Sequence, residues 1–139
     1  MFDISFYKGK KVLITGHTGF KGSWMCQLLI MAGAEVTGYA LEAPTDPSLF
    51  DMCHLADSMN SVVGDVRDLA HMQKVFEQAQ PEIVIHMAAQ PLVRESYKNP
   101  VYTYETNVMG TVNVLECVRN TPSVKSFVNV TTDKVYKNK

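Results

Sequence analysis

Three closely spaced glycines are the first residues in this chain that could bind a ligand. Gly16, Gly19 and Gly22 directly follow the apolar run Val12–Thr15. Glycines at such spacing let the main chain turn tightly, approach a diphosphate and pack a helix closely on a strand, while the first N–H groups of that helix attract negative charge. The pattern therefore predicts a phosphate cradle. The plainer alternative is a strand-to-helix turn without a ligand.

A second candidate group lies near the end of the sequence. Thr132, Asp133 and Lys134 place a hydroxyl, a carboxyl and an amine side by side after an apolar run. A carboxyl kept protonated can donate a proton, and a desolvated lysine near a cation can accept one near neutral pH. Residue types alone favour a plainer structure, in which Asp133 and Lys134 form a solvated turn and Thr132 caps a helix.

Composition narrows the class of protein. The 139 residues, of which 46% are hydrophobic and 19% charged, predict one globular domain with a real core. The net charge of -1 argues against a broad nucleic-acid or anionic-membrane surface. No apolar run is long enough to span a membrane, and the first residues lack the order of a signal peptide. Cys26, Cys53 and Cys117 lie far apart without metal-binding spacing, so we expect reduced thiols, no metal and a cytoplasmic protein.

Strand-like and helix-like segments alternate along the chain, and that alternation predicts how the candidate residues are positioned. Nearly continuous apolar strands separated by helices favour a doubly wound parallel sheet of the α/β class, with ligands at the carboxyl ends of the strands. We predict strands at 12–15, 35–41, 59–65, 82–89 and 124–132. We predict helices from the glycines to Gly33, from Asp68 to about Gln80 and from Asn99-Pro100 to about residue 118, with a helical turn at 49–54.

The last of these helices has an apolar stripe at helical spacing, which predicts one buried face. Its members are Val101, Tyr104, Val108, Thr111, Val112, Leu115 and Val118.

Four segments together resemble the extended branch of the short-chain dehydrogenase/reductase superfamily. They are TGHTGFKG at 15–22, GDVRD at 64–68, HMAAQ at 86–90 and TNVMGTVNVLE at 106–116. The resemblance implies a Rossmann fold that binds NAD, with Asp65 accepting from the adenine amino group and the Val66 main chain meeting the ring. The cofactor contacts that it implies are Gly16, Thr18, Gly19, Phe20, Gly22, Asp65, Val66, Met87, Ala88, Ala89 and Asn107.

Longer segments narrow the resemblance to the nucleotide-sugar 4,6-dehydratases of that superfamily. These segments are GHTGFKGSW, APTDPSLF, HMAAQPLVRESY and VNVTTDKVYKN. The TDK triplet is similar to members that act on CDP-glucose, although some UDP-sugar dehydratases also carry it. The resemblance implies a nucleotide-sugar substrate, CDP-glucose first, and a homodimer for the whole protein.

The same resemblance implies roles for the polar candidates. The sugar C4 hydroxyl is oxidised by NAD+, the C5 proton and the C6 hydroxyl leave, and the hydride returns to C6. Thr132 would bind the C4 oxygen, Asp133 would be the acid and Lys134 the base at C5. Gln90 and Arg94 would face the sugar nucleotide, although Arg94 equally suits a solvated surface.

Other polar residues keep alternatives open. His17 could contact the dinucleotide or lie exposed in the loop. His86 is expected to be a buried, hydrogen-bonded histidine. For Asn107, bonding to main chain is as plausible as a role near the active site. At the end of the second strand, Ala40 stands where an acid often binds the ribose, with Glu42 nearby, and the lack of an arginine there disfavours NADP.

One departure from the family is the missing Tyr-x-x-x-Lys pair, since Tyr136 is followed by Lys139 three residues later. We therefore expect a truncated dinucleotide-binding domain over residues 1–139, without the sugar-nucleotide domain and inactive alone. The alternatives are a non-catalytic dinucleotide-binding module and a related UDP- or dTDP-sugar dehydratase or epimerase.

Overall fold

Five parallel strands form one sheet in the order β3-β2-β1-β4-β5 in the computed structural model, which describes residues 3–132. The strands are β1 Lys11–Thr15, β2 Glu35–Ala40, β3 Asn60–Val63, β4 Ile83–His86 and β5 Ser126–Asn129. The helices are α1 Phe20–Met31, α2 Leu49–Met52, α3 Leu69–Ala79, α4 Val93–Lys98, α5 Pro100–Tyr104 and α6 Gly110–Arg119. A π-helical segment, Glu105–Met109, joins α5 to α6, and single 3-10 turns lie at Ile4–Tyr7 and Leu55–Asp57. The predicted doubly wound α/β sheet is confirmed.

β1 is the centre of the sheet and shows why the strands are apolar on both faces. Leu13 packs in one core with α3 and α6 residues such as Met72 and Val114. Its neighbour Ile14 packs in the other core with residues of α1 such as Leu29. Because successive side chains of a strand point to opposite faces, a strand covered by helices on both sides must be apolar throughout.

The order of strands reverses beside β1, and this reversal locates the ligand crevice. β2 and β3 extend from one side of β1, whereas β4 and β5 extend from the other. Thr15, at the carboxyl end of β1, is paired with Tyr39 on one side and His86 on the other. Open parallel sheets bind ligands at such a switch point, just beyond the strand ends.

The predicted ends of two helices are confirmed. The Asp68 carboxylate accepts a hydrogen bond from the His71 N–H at 2.9 Å and caps α3. Gln80 ends that helix with a positive φ of 43°, immediately before Pro81. Gly33 follows α1 with a φ of 80°, as a glycine after a helix commonly does.

The prediction for the long helix over residues 100–119 was wrong about which face is buried. Val101, Tyr104, Val108, Val112 and Leu115 are 45–69% exposed, while Thr111 and Val118 are half-buried. The face against the sheet instead carries small or polar residues, namely Thr106, Gly110, Asn113, Val114 and Cys117. The main chain comes so close to the segment after β3 that a Cβ on Gly110 would lie 2.7 Å from Val66 Cγ2. That closeness selects small residues, and apolar spacing alone does not reveal it.

Pro100 occupies the first turn of α5, as predicted, but Asn99 does not cap it with its side chain. The Asn99 amide instead donates to the Glu95 carboxylate in α4, a short helix that the sequence did not suggest.

Candidate functional site

Two of the three glycines are required by the packing of the chain itself. Gly16 has a φ of 77°, and a Cβ there would lie 2.8 Å from the Ala88 nitrogen. A Cβ on Gly22 would lie 2.1 Å from the Gly16 carbonyl oxygen. Neither position can hold a side chain without moving main chain, so Gly16 permits the turn after β1 and Gly22 permits α1 to approach it.

Gly19 differs from its neighbours, because nothing within residues 3–132 demands a glycine there. Its φ is -74°, and a Cβ would meet only the Gly16 oxygen at 3.5 Å, an ordinary contact. Gly19 is the N-cap of α1, it has no side chain to bond the first N–H groups, and no acidic residue stands in the first turn. The positive end of a 12-residue helix therefore remains open toward the switch point.

His17 lies beneath the glycine loop. Its side chain is not exposed, so it cannot contact a ligand at the surface. Its side chain is fully buried, its Nε2 lies 2.7 Å from the Ser61 hydroxyl, and its ring meets that of Phe50 edge-on. Burial lowers the pKa of His17 to about 4, a shift that the Tyr39 main chain only partly offsets. Both alternatives from the sequence were wrong, and the neutral ring fastens the loop to β3.

The side chains on either side of Gly19 diverge. The Thr18 hydroxyl donates to the Leu41 carbonyl at 2.9 Å, which ties the loop to the end of β2. Phe20 is 70% exposed.

Ala40, where the sequence lacks a ribose-binding acid, is buried at the end of β2, and Glu42 is exposed two residues later.

The expected role of His86 as a buried, hydrogen-bonded histidine is confirmed. The Thr111 hydroxyl donates to the Asn107 carbonyl, so it accepts from His86 Nε2–H at 3.1 Å. Nδ1 then accepts from the Thr15 hydroxyl at 2.6 Å. Burial lowers the pKa of His86 to about 4, so the ring is neutral and joins β1 and β4 to the long helix.

The main chain after His86 is held at the same edge. Thr15 Oγ1 accepts from the N–H groups of Met87 at 3.1 Å and Ala88 at 3.2 Å. Met87 and Ala88 are half-buried, and Ala89 is exposed. These small or flexible residues lie against Gly16, so the chain ends of β1 and β4 line one side of the crevice.

The Asn107 side chain is hydrogen-bonded to the main chain of Gln90. The Asn107 amide accepts from the Gln90 N–H at 2.7 Å and donates to the Gln90 carbonyl at 3.0 Å. The buried Gln90 side chain accepts from the Leu92 N–H at 2.6 Å and donates to the Thr103 hydroxyl at 2.9 Å. Asn107 thus bonds main chain, one of the two alternatives, and Arg94 is exposed.

Hydrogen bonds from Tyr39 and Asn113 hold the segment after β3 in place. The Tyr39 hydroxyl donates to the Asp65 carbonyl at 2.9 Å, and the Asn113 amide donates to the Val66 carbonyl at 2.9 Å. The Val66 side chain is buried against Gly110. The Asp65 carboxylate accepts from the Arg67 guanidinium at 2.6 Å. Tyr39, Arg67 and Asn113 were not singled out from the sequence; only Arg67 and Asn113 stand within a quoted motif.

Thr132 is exposed beyond β5, at the carboxyl edge of the sheet, while Asp133 and Lys134 lie outside the described residues. The structure therefore brings together the glycine loop, the segment 87–90, the segment 65–67 and Asn107 along one edge, with Thr132 farther along. This arrangement defines a Rossmann fold, a parallel sheet with an open helix terminus at the carboxyl ends of its strands.

Sequence comparison identifies the family to which the chain belongs. A profile of the GDP-mannose 4,6 dehydratase family matches residues 13–138, and the chain belongs to that family. It is 54% identical over all 139 residues to CDP-glucose 4,6-dehydratase of Salmonella typhimurium, of which it covers 39%. The chain thus spans about two-fifths of that relative's length.

Solved structures agree on the fold. An epimerase of Methanothermobacter thermautotrophicus has a TM-score of 0.82 and 28% identity, over 97% of this chain and 39% of its own. The UDP-glucose-4-epimerase of Stenotrophomonas maltophila, solved with bound NAD, has a TM-score of 0.82 and 25% identity, over 94% of this chain and 39% of its own. None of the helices within residues 3–132 is both long and apolar enough to cross a membrane.

Proposed function

We propose that this chain is the cofactor-binding part of an NAD-dependent nucleotide-sugar 4,6-dehydratase whose substrate is CDP-glucose. Membership of the family and the 54% identity to the CDP-glucose enzyme support the reaction class. The observation that carries cofactor binding is Gly19, which leaves open space at the uncompensated positive end of α1 although its own chain would accept a Cβ there.

The described residues suit a dinucleotide along this edge. The N–H groups of the first turn, from Phe20 onward, would bind the diphosphate, with Gly16 and Gly22 setting the loop, Gly19 leaving space for the phosphates, and Thr18 and Phe20 flanking it. Val66 and Asp65 would bind the adenine edge. Met87, Ala88 and Ala89 would pass beside the cofactor, and Asn107 would hold the Gln90 main chain next to it.

The chemical roles follow from the residue types. Bound NAD+ would accept hydride from the sugar C4 carbon and later return it to C6. Thr132 would hydrogen-bond the C4 oxygen, Lys134 would take the C5 proton that the ketone acidifies, and Asp133 would protonate the departing C6 hydroxyl. Arg94 would contact the sugar nucleotide.

NAD is favoured over NADP by the end of β2. Residues 40–47 contain no arginine to bind a 2′-phosphate, and Glu42 would repel one.

The three cysteines, all free thiols, suit a reducing cytoplasm.

We further propose that the whole protein is a homodimer and that the 139-residue chain alone does not catalyse. The exposed stripe of Val101, Tyr104, Val108, Val112 and Leu115 supports the dimer, because a contiguous apolar helix face is typical of a covered surface. A sugar-nucleotide domain would follow in the longer protein.

The cofactor proposal is tested by titrating the chain with NAD+ and NADP+, as wild type and as Gly19→Val. We expect NAD+ to bind more tightly than NADP+, and Gly19→Val to weaken NAD+ binding at least about tenfold while far-UV circular dichroism stays unchanged. Unaltered affinity in the variant would count against the diphosphate site.

The substrate proposal needs the longer protein. CDP-, dTDP- and UDP-glucose would be supplied in parallel, and the 4-keto product is expected from CDP-glucose. Product from another nucleotide sugar would correct the substrate, and NAD binding without any product would favour a non-catalytic module.

A further inference from the structure

His86 is a buried titratable group to which the proposed function gives no part. Its ring is 2% exposed at the carboxyl end of β4 and lies between Thr15 of β1 and Thr111 of the long helix. The Thr111 hydroxyl gives its only proton to the Asn107 carbonyl at 2.8 Å, so toward His86 it can only accept. The long helix therefore requires the ring proton to be on Nε2.

Thr15 requires the same tautomer from the other side of the ring. Its Oγ1 accepts from the N–H groups of Met87 and Ala88, and the Met87 N–H is shared with the Thr15 carbonyl at 3.2 Å. The two N–H groups take both lone pairs of the hydroxyl, so its proton is left for His86 Nδ1. The hydrogen bonds thus run in one direction, from the main chain after β4 to the long helix. We call them the His86 network; its members are Thr15, His86, Thr111 and the Asn107 carbonyl.

The His86 network holds the segment 87–90 at both ends. Thr15 bonds the main chain of its first two residues, and the Asn107 side chain bonds the N–H and the carbonyl of its last, Gln90. Within residues 3–132, the carbonyls of residues 87–89 accept no hydrogen bond. The network therefore determines where these unbonded acceptors lie.

The place of this segment along the sheet indicates which part of a dinucleotide it would meet. The glycine loop follows β1, the segment 87–90 follows β4, and Thr132 lies beyond β5. Because β4 lies between β1 and β5, a cofactor with its diphosphate at the glycine loop and its reacting end near Thr132 passes the segment 87–90 in between. In NAD, the part that follows the diphosphate toward the reacting end is the nicotinamide riboside.

We infer that His86 is a positioning residue whose tautomer, fixed by Thr15 and Thr111, holds the segment 87–90 in the conformation that binds the nicotinamide riboside half of NAD. The inference rests on the proposed function, because a dinucleotide must bind. It goes beyond that function by giving His86 and Thr111 an effect on one half of the cofactor only.

The physical reason is the proton on the ring. Without the Thr111 hydroxyl, the His86 Nε2–H has no acceptor, and the tautomer with its proton on Nδ1 becomes competitive. That tautomer presents a donor to Thr15, whose hydroxyl then cannot accept from both main-chain N–H groups. The start of the segment 87–90 loses a hydrogen bond, whereas the glycine loop keeps its own.

The test compares the affinities of NAD+ and ADP for the 139-residue chain by calorimetry, because ADP contains the adenosine and the diphosphate but not the nicotinamide riboside. Thr111→Val keeps the β-branched shape and removes the hydroxyl. We expect it to bind NAD+ at least about fivefold more weakly and ADP within about twofold of wild type. Thr111→Ser restores the hydroxyl and with it the affinity for NAD+.

Thr121→Val is the matched control. The Thr121 hydroxyl is also buried and also donates to a carbonyl four residues earlier, that of Cys117 at 2.7 Å, but it lies beyond the end of α6 and outside the His86 network. Both affinities of this variant should stay within about twofold of wild type.

The nitrogen-15 chemical shifts of the His86 ring report which nitrogen carries the proton. We expect the proton on Nε2 in wild type and a mixture of both tautomers in Thr111→Val. A wild-type ring with its proton on Nδ1, or a Thr111→Val ring with an unchanged tautomer, overturns the inference.

The ratio of the two affinities separates positioning from a merely structural role, which would weaken NAD+ and ADP equally. A ratio that is the same in Thr111→Val as in wild type overturns the inference alone. If Thr111→Val does not fold, His86→Gln, which removes the ring nitrogen that accepts from Thr15, decides in the same way. Failure of wild type to bind NAD+ overturns the proposed function together with the inference.

Discussion

Gly22→Ala tests whether close main-chain packing fixes the glycine loop. The new Cβ would lie 2.1 Å from the Gly16 oxygen and 2.8 Å from His17 Cα, and it needs roughly 1.3 Å more to reach the 3.4 Å of an ordinary contact with that oxygen. Both neighbours are main chain, so β1 and α1 must separate.

Overpacking of this kind costs about 3 kcal/mol at the upper end of its usual range, and the gain in helix propensity from glycine to alanine returns about 1 kcal/mol. The net loss of about 2 kcal/mol corresponds to a fall in Tm of about 7 °C, given an unfolding entropy of about 2.1 cal/mol/K per residue. Thermal unfolding followed by circular dichroism measures it.

Gly19→Ala is the matched control for this variant. Its Cβ would make only an ordinary 3.5 Å contact, so its free energy of unfolding should stay within about 1 kcal/mol of wild type. A Gly22→Ala protein that melts within about 2 °C of wild type, or a Gly19→Ala protein that is the less stable of the two, would refute the division of the glycines into structural and ligand-binding positions.

The buried histidines, the bonds between Asn107 and Gln90, and the exposed face of the long helix can each be tested separately. His17 and His86 both have a pKa of about 4 in the folded protein and take up protons more readily when it unfolds, so the free energy of unfolding should fall as pH drops from about 6.5 to 4. We expect urea titrations to show a loss of about 3 kcal/mol between pH 7 and 5, and roughly half that loss in His17→Asn. A free energy of unfolding that does not change over this pH range would contradict the prediction. Asn107→Ala leaves the Gln90 N–H and carbonyl without their partner, which should cost about 2 kcal/mol and speed exchange of the Gln90 amide hydrogen; unchanged exchange would be evidence against that link. In the longer protein, Val108→Glu should yield monomers in sedimentation, whereas persistent dimers would exclude this face as the interface.

The sequence predicted the parts of the fold that depend on local patterns. The strand β1, the capping Asp68 and the terminating Gly33 each follow from residue type and immediate neighbours. The buried face of the long helix does not, because its residues are mostly small or polar and only the approach of Gly110 to Val66 decides which side meets the sheet.

The candidate site also has a part that local spacing predicts and parts that depend on residues distant along the chain. The glycine loop was found from spacing, and the structure then separated Gly19 from Gly16 and Gly22 by the space around each. His17 could not be placed from the sequence, since its burial depends on Phe50 and Ser61, distant along the chain. The contacts of Arg67 with Glu105 and Tyr102 likewise depend on residues of the long helix.

The central claim is that main-chain amides at the start of α1 bind the diphosphate of NAD. Amide chemical-shift mapping of the isotopically labelled chain during NAD+ titration tests it most directly. We expect the largest shifts on residues 16–22, with a second group at Val66. Shifts concentrated instead at the opposite edge of the sheet, around Glu35, Asn60 and Pro81, would contradict it.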